Sequence, residues 1–233
     1  MANGTTVQKR AATDTELVPA ADKSLLKQRA YEGLKERIQN SIFEPGAFLS
    51  ERQLAAQLGM SKTPVKAALE RLEAEGFISV SPQQGIVVRD LSIHEIADQF
   101  EIRLALESFV LRNIAGKLSD ERAANLRQQL RLQQQAVKKR DVAQSARLDS
   151  EFHTTFCEFL GNQEIVRVML QLREKMHRVV TRVFQQHADR LARSFEEHQA
   201  IVEAVLTGQP DQAVAALEEH LNYGKQLLLS RGH

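Results

Sequence analysis

The sequence predicts a mainly α chain in two parts. An N-terminal winged helix-turn-helix with a small β-hairpin comes first, followed by an all-α antiparallel bundle of six or seven helices. Three observations predict this. Between residues 50 and 85, a short helical segment, a glycine, a longer helical segment and two β-rich runs closed by a glycine follow one another. From Ser92 onward every periodic segment has helical spacing. The breaks between the later segments are short and carry Gly116, Gly161-Asn162 and Gly208-Gln209-Pro210. Short loops between long amphipathic helices make sequential helices antiparallel neighbours.

Composition bounds the possibilities. A chain of 233 residues holds one large domain or two ordinary ones, and 42% hydrophobic content can fill their cores. Trp is absent and aromatics are few, so packing rests on Leu, Ile, Val and Ala. No apolar run approaches the roughly 18 residues of a membrane span, and the first residues lack the apolar stretch of a signal peptide. Cys157 is the single cysteine, which excludes an intrachain disulfide and suits a reducing cytoplasm. A net charge of +1 excludes a bulk polycation. Any nucleic-acid binding must therefore come from local placement of charge.

Residues 1–22, rich in Ala, Thr and polar residues without a period, read as a disordered tail. Residues 23–40 show Leu26, Ala30, Leu34 and Ile38 at spacings of four, a helical stripe. Glu44-Pro45-Gly46 is a turn. Ser50 can cap the next helix, whose inner face is Leu54, Ala55 and Leu58, and Gly59 ends it. Ser61 then caps a helix over 62–75. Its buried face is Val65, Ala68, Leu69 and Leu72, and Pro64 in its first turn removes an N–H that has no partner there. Residues 77–80 and 86–89 form a hairpin around Ser81-Pro82-Gln83-Gln84-Gly85. Helices are expected near 92–116 (one or two pieces), 120–139, 141–160, 163–187, 190–207 and 210–230. The change from mixed to all-helical pattern near Asp90 separates a domain over 23–90 from one over 91–233.

On the 62–75 helix, Lys62 and Lys66 are four apart and share a face. Packing the apolar face turns them and Thr63 outward near the helix N-terminus, the end that a recognition helix presents to the major groove. Arg52 can reach the backbone or a base edge, and Gly85 at the wing tip permits close approach to phosphate. Residues 23–90 hold ten Lys/Arg against eight Asp/Glu, whereas residues 91–233 hold nineteen of each. The surplus is small but falls on the expected side. A solvated face on an interaction module is the competing reading.

The run Gly46-Ala47-Phe48-Leu49-Ser50-Glu51-Arg52-Gln53-Leu54-Ala55 is followed by Met60-Ser61-Lys62-Thr63-Pro64-Val65-Lys66-Ala67-Ala68-Leu69. Then come Leu72-Glu73-Ala74-Glu75-Gly76-Phe77 and Gly85. Together these resemble the GntR family of bacterial transcription regulators over about residues 25–90. The resemblance implies DNA contacts by Arg52, Lys62, Thr63, Lys66 and Gly85. The family usually carries Arg where Lys62 and Lys66 stand. Lysine binds phosphate well but reads guanine less rigidly than the arginine fork.

The helical half holds a second constellation. Asp149 and His153 are four apart on one face. His198 sits among Ile201, Val202 and Val205, and His220 among Ala213, Ala216, Leu217 and Leu221, so both face inward. Three imidazoles and a carboxylate suit a divalent transition metal such as zinc, nickel or manganese. Each histidine taken singly reads more readily as a hydrogen-bonded core or boundary residue than as a ligand. Asp149-x-x-Phe152-His153, Glu197-His198-x-x-Ile201, His220-Leu221 and Arg103 with Glu107 resemble the FCD effector domain of the FadR subgroup over about residues 92–225. The resemblance implies that Asp149, His153, His198 and His220 hold a metal beside a small carboxylate effector. Arg103 is the first candidate to pair with that carboxylate. Arg178 and Arg182 are weaker candidates that read also as surface charge. Cys157 reads as a small buried side chain, and His94, His177 and His187 as exposed.

The expected protein is a cytoplasmic repressor that binds double-stranded operator DNA as a homodimer and answers to a small organic acid. An effector weakens DNA binding only if it binds the DNA-free arrangement more tightly. A helical-bundle metalloenzyme is the rival, because three His and one Asp could activate water. It leaves the DNA-reading half unexplained. A purely structural metal, or a metal that is itself the signal, is a third reading.

Overall fold

The computed structural model describes residues 20–81 and 85–229. Most of the expected tail, residues 1–22, and residues 82–84 of the wing turn lie outside them. The first helix, α1 (Ala20–Gln39), begins inside the stretch read as tail. After it come β1 (Phe48–Leu49), α2 (Glu51–Leu58), α3 (Lys62–Ala74), β2 (Ile78–Ser81) and β3 (Gly85–Val88). The three strands form one antiparallel sheet in the order β1-β3-β2. β1 was not anticipated from the sequence, since two residues are too few to show an alternating period. It pairs Phe48 with Val87 and Leu49 with Ile86, tying the turn at Gly46 to the wing.

Local chemistry accounts for these elements. The Ser50 hydroxyl accepts from the Gln53 backbone N–H, and Gly59 takes a left-handed φ of 62° that closes α2. Ser61 stands at the N-cap of α3, but its hydroxyl makes no capping bond. Leu54 and Ala55 from α2 pack with Val65, Ala68, Leu69 and Leu72 from α3. Leu34 and Ile38 of α1 and Ile78 and Val88 of the sheet complete this first core.

The second core is built by α4 (Ile93–Ile114), α5 (Asp120–Lys139), α6 (Val142–Leu160), α7 (Gln163–Gln186), α8 (Ala188–Leu206) and α9 (Pro210–Leu229). α4 is a single unbroken helix. Ser92 caps it, and Ser92 and Glu95 form a reciprocal capping box. Ser119, Asp141 and Asn162 cap α5, α6 and α7 by accepting backbone N–H groups of the first turn. Gly116 and Gly208 meet backbone to backbone: a Cβ on Gly116 would lie 3.0 Å from the Gly208 Cα. A side chain there would push the α4–α5 and α8–α9 connections apart. α4 packs on α9 and α6, α6 on α5 and α7, and α8 on α9 and α5. Phe152, Phe156, Leu111, Leu126, Ile201 and Leu217 fill the interior. No helix among the described residues is long and apolar enough to cross a membrane.

Polar contacts join the two parts. The buried Lys35 of α1 pairs with Glu174 of α7 at 2.6 Å and with Glu75 at 3.3 Å. Gln39 donates to the Glu174 carbonyl. Arg178 donates to the Arg89 carbonyl at 2.7 Å, and Arg182 pairs with Asp90 at 3.0 Å.

Candidate functional site

The five residues expected to touch DNA are all exposed. Lys62, Thr63 and Lys66 lie on the outer face of α3, Arg52 on the first turn of α2, and Gly85 at the start of β3. Among the described residues, Arg52, Lys62 and Lys66 make no ion pair within the chain. Pro64 and Val65 between the two lysines are buried, so the apolar stripe orients the cations outward.

In the bundle, Asp149 and His153 come from one face of α6, His198 from α8 and His220 from α9. One ligand-type atom of each lies within 4.8 Å of the others, and all four residues are buried. The His153 and His220 Nε2 atoms are 3.1 Å apart, and the His198 and His220 Nε2 atoms 3.4 Å. Asp149 Oδ1 lies 3.6 Å from His198 Nε2. Phe152 stacks on His198 with ring centroids 3.9 Å apart, which fixes the plane of that ring.

The outer nitrogens settle the tautomers. His153 Nδ1 lies 2.5 Å from Glu107 of α4, His198 Nδ1 lies 2.9 Å from the Gln133 Oε1 of α5, and His220 Nδ1 lies 2.8 Å from Glu197. Each acceptor places the proton on Nδ1 and leaves the Nε2 lone pair facing the centre. Arg190 also approaches His220 Nδ1, at 3.2 Å, but it pairs with Glu197 at 2.6 Å. The shorter His220–Glu197 contact keeps Nδ1–H the donor. Ser194 donates to Asp149.

Electrostatics agree with neutral His198 and His220 rings. Burial first, and then the neighbouring His220, His153, Arg190 and Arg103, hold His198 well below the ordinary histidine value. Burial also takes His220 down to about 4, although Glu197 pulls the other way. Burial raises Glu107, but His153 and Arg103 outweigh it and hold the carboxyl at about 2. Glu197 is likewise held at about 2 against its own burial by His220 and Arg190. Inward lone pairs at 3.1–3.4 Å repel one another unless a cation lies between them. Three imidazole nitrogens and a carboxylate fit a divalent transition metal.

Beside this cluster is a narrow cavity of about 20 Å³ between α4, α6 and α7, lined by Arg103, Asp149, His153, Leu172, Arg173 and Met176. An adjoining space of about 30 Å³ shares Arg103 and Asp149 and reaches His220 and Arg190. Arg103 Nε pairs with Glu107 at 2.9 Å, while its Nη2 is buried without a partner. Arg178, expected as a second anion contact, lies outside both cavities. It is only 7% exposed, so it is not surface charge either; it serves the Arg89 carbonyl instead. Arg182 is half-buried and bound to Asp90. His177 and His187, expected to be exposed, are half-buried, whereas His94 is exposed. Cys157 is fully buried. Sequence reasoning gave no role to Gln133, Ser194 or Arg190. An isolated polar residue on the buried side of a helix would have been the only signal.

A winged helix-turn-helix carried on an all-helical second domain is the architecture of a DNA-binding transcription regulator. Family models agree. The bacterial regulatory proteins of the gntR family match residues 26–88, and the FCD domain matches residues 98–223. The chain belongs to the GntR family of transcription regulators, with a C-terminal FCD domain. Among similar proteins, the Nta operon transcriptional regulator of Aminobacter aminovorans is 30% identical over 77% of this chain and 83% of its own. The gluconate operon transcriptional repressor of Bacillus licheniformis is 26% identical over 81% and 79%. The transcriptional repressor RspR of Escherichia coli is 26% identical over 89% and 90%. The E. coli McbR/YncC structure shares the fold with a TM-score of 0.76 at 24% identity, covering 89% of this chain and 99% of that one. These families are regulators, not enzymes, so the metalloenzyme reading is not kept.

Proposed function

We propose that this protein is a cytoplasmic repressor whose grip on operator DNA is set by a small organic acid bound beside a divalent metal. The observation that carries the proposal is the buried cluster of Asp149, His153, His198 and His220, each with an outer hydrogen-bond partner. A metal held there would act as a Lewis acid toward an anionic ligand. A purely structural metal site is closed, whereas this one adjoins a cavity with the unpartnered Arg103 Nη2 beside it. That nitrogen is a ready donor for a carboxylate. One relative is named for a gluconate operon, and gluconate is a hydroxy acid.

Arg52, Lys62, Thr63, Lys66 and Gly85 are the proposed DNA contacts. Two recognition helices on a homodimer would address successive major grooves. α4 offers a face for that dimer. Ile102 and Phe109 are 43% and 53% exposed, seven residues apart on one side, with Ala105 between them.

The test is operator binding by fluorescence anisotropy on full-length protein whose metal content has been measured. Zinc-, nickel- or manganese-loaded protein should respond to organic acids, and chelator-treated protein should not. Operator affinity indifferent to both metal and acids would end the proposal.

A further inference from the structure

Arg173 is a cation for which neither the metal site nor the fold has a use. It lies on α7, is half-buried, and makes no ion pair among the described residues. It lines the narrow cavity next to Asp149 and His153, and also a cleft of about 370 Å³ between α1 and the α6–α7 pair. Ser150 borders both spaces as well, so these two residues stand between the cavity and the cleft. The other cations near the cleft are engaged: Arg147 pairs with Glu151 at 2.7 Å, and Lys35 with Glu174 at 2.6 Å.

Size decides what can bind. The inner cavity, about 20 Å³, admits a head group but not a whole metabolite. The rest of a longer ligand would extend past Ser150 and Arg173, which border both spaces, into the cleft. We propose that the effector carries two anionic ends, one held in the inner cavity by Arg103 and the other at its mouth by Arg173. This rests on the acid-effector reading above and names the class of acid. The outer end then lies against Gln39, the last residue of α1, and the following Asn40, which line the cleft. It also lies one residue from Glu174, which joins α1 through Lys35. Occupancy would act directly on the contact between the DNA-reading part and the bundle. Glu36, exposed on the same cleft, opposes a second anion there.

The experiment is calorimetric titration of full-length, zinc-loaded protein with glutarate and adipate against pentanoate and hexanoate of matched chain length. Wild type should bind the diacids at least tenfold more tightly. Arg173→Gln should lower diacid affinity about tenfold, as expected for one charge-assisted hydrogen bond, and leave the monoacids unchanged. Arg173→Lys should recover part of the loss, and Glu36→Gln should strengthen diacid binding. Arg103→Gln should weaken both series. If monoacids and diacids bind wild type equally, or Arg173→Gln weakens both alike, the two-anchor inference fails while the acid-effector reading stands. If no acid of either series binds, the acid-effector reading fails as well.

Discussion

Glu107 and Glu197 stand behind His153 and His220, and both carboxyls are held at about 2 despite their burial. Each therefore stays an acceptor and keeps the ring proton on the far side from the cluster. Cys157, one helical turn beyond His153, has the opposite environment. Burial, reinforced by Glu107, pushes its thiol up to about 12. The folded protein should therefore resist iodoacetamide at pH 8 and be alkylated only as it unfolds. Rapid labelling of native protein, read by mass spectrometry, would contradict this. Residue identities at the cluster were legible in part. Asp149 and His153 share a face because they are four apart. The placing of His198 and His220 beside them rested on a family resemblance, since no spacing rule links side chains on different helices. Gln133 gave no signal, because its role exists only once α5 packs against α8.

At the scale of the element, α7 serves two neighbours. Met169, Leu172, Arg173, Met176 and Val180 face the narrow cavity, while Glu174, Arg178 and Arg182 face α1 and the segment at Arg89 and Asp90. The helical period made α7 plain in the sequence, but it did not say which cation met which partner. α3 is simpler, because a buried stripe on one side leaves only one way out for Lys62 and Lys66. Each phosphate contact removed should lower the slope of log affinity against log salt by about 1. Lys62→Ala with Lys66→Ala should therefore flatten the salt dependence of operator binding by about two units for each recognition helix, about four for a dimer. An unchanged slope would mean that these lysines do not meet phosphate.

At the scale of the whole molecule, pH and association are the accessible readouts. His198 and His220 are held below the ordinary value of 6.5, His220 at about 4. As pH falls below 6.5 the unfolded chain takes up these protons before the folded one does. The stability present above that value is therefore lost as pH falls toward 4. Chelator-treated protein should show a falling urea midpoint over this window, and a midpoint constant between pH 7 and 5 would contradict it. Phe109→Glu places a charge in the proposed α4 dimer face. It should give a monomer in sedimentation and weaken operator binding at least tenfold, with the helical content unchanged. A variant that remained dimeric would move the interface elsewhere.

By itself, the sequence determined the helical stripes, the Ser50 and Gly59 caps of α2, the outward lysines of α3 and the chemical type of the donors in the bundle. These follow from periods of two and 3.6 residues and from local hydrogen bonding, which need no distant partner. Tertiary structure alone decided that three Nε2 atoms converge with their protons turned away, that Arg178 serves a carbonyl and Arg103 a cavity, and that Phe48 and Leu49 form a third strand. Periodicity sets which residues share a face. Only packing decides what that face meets.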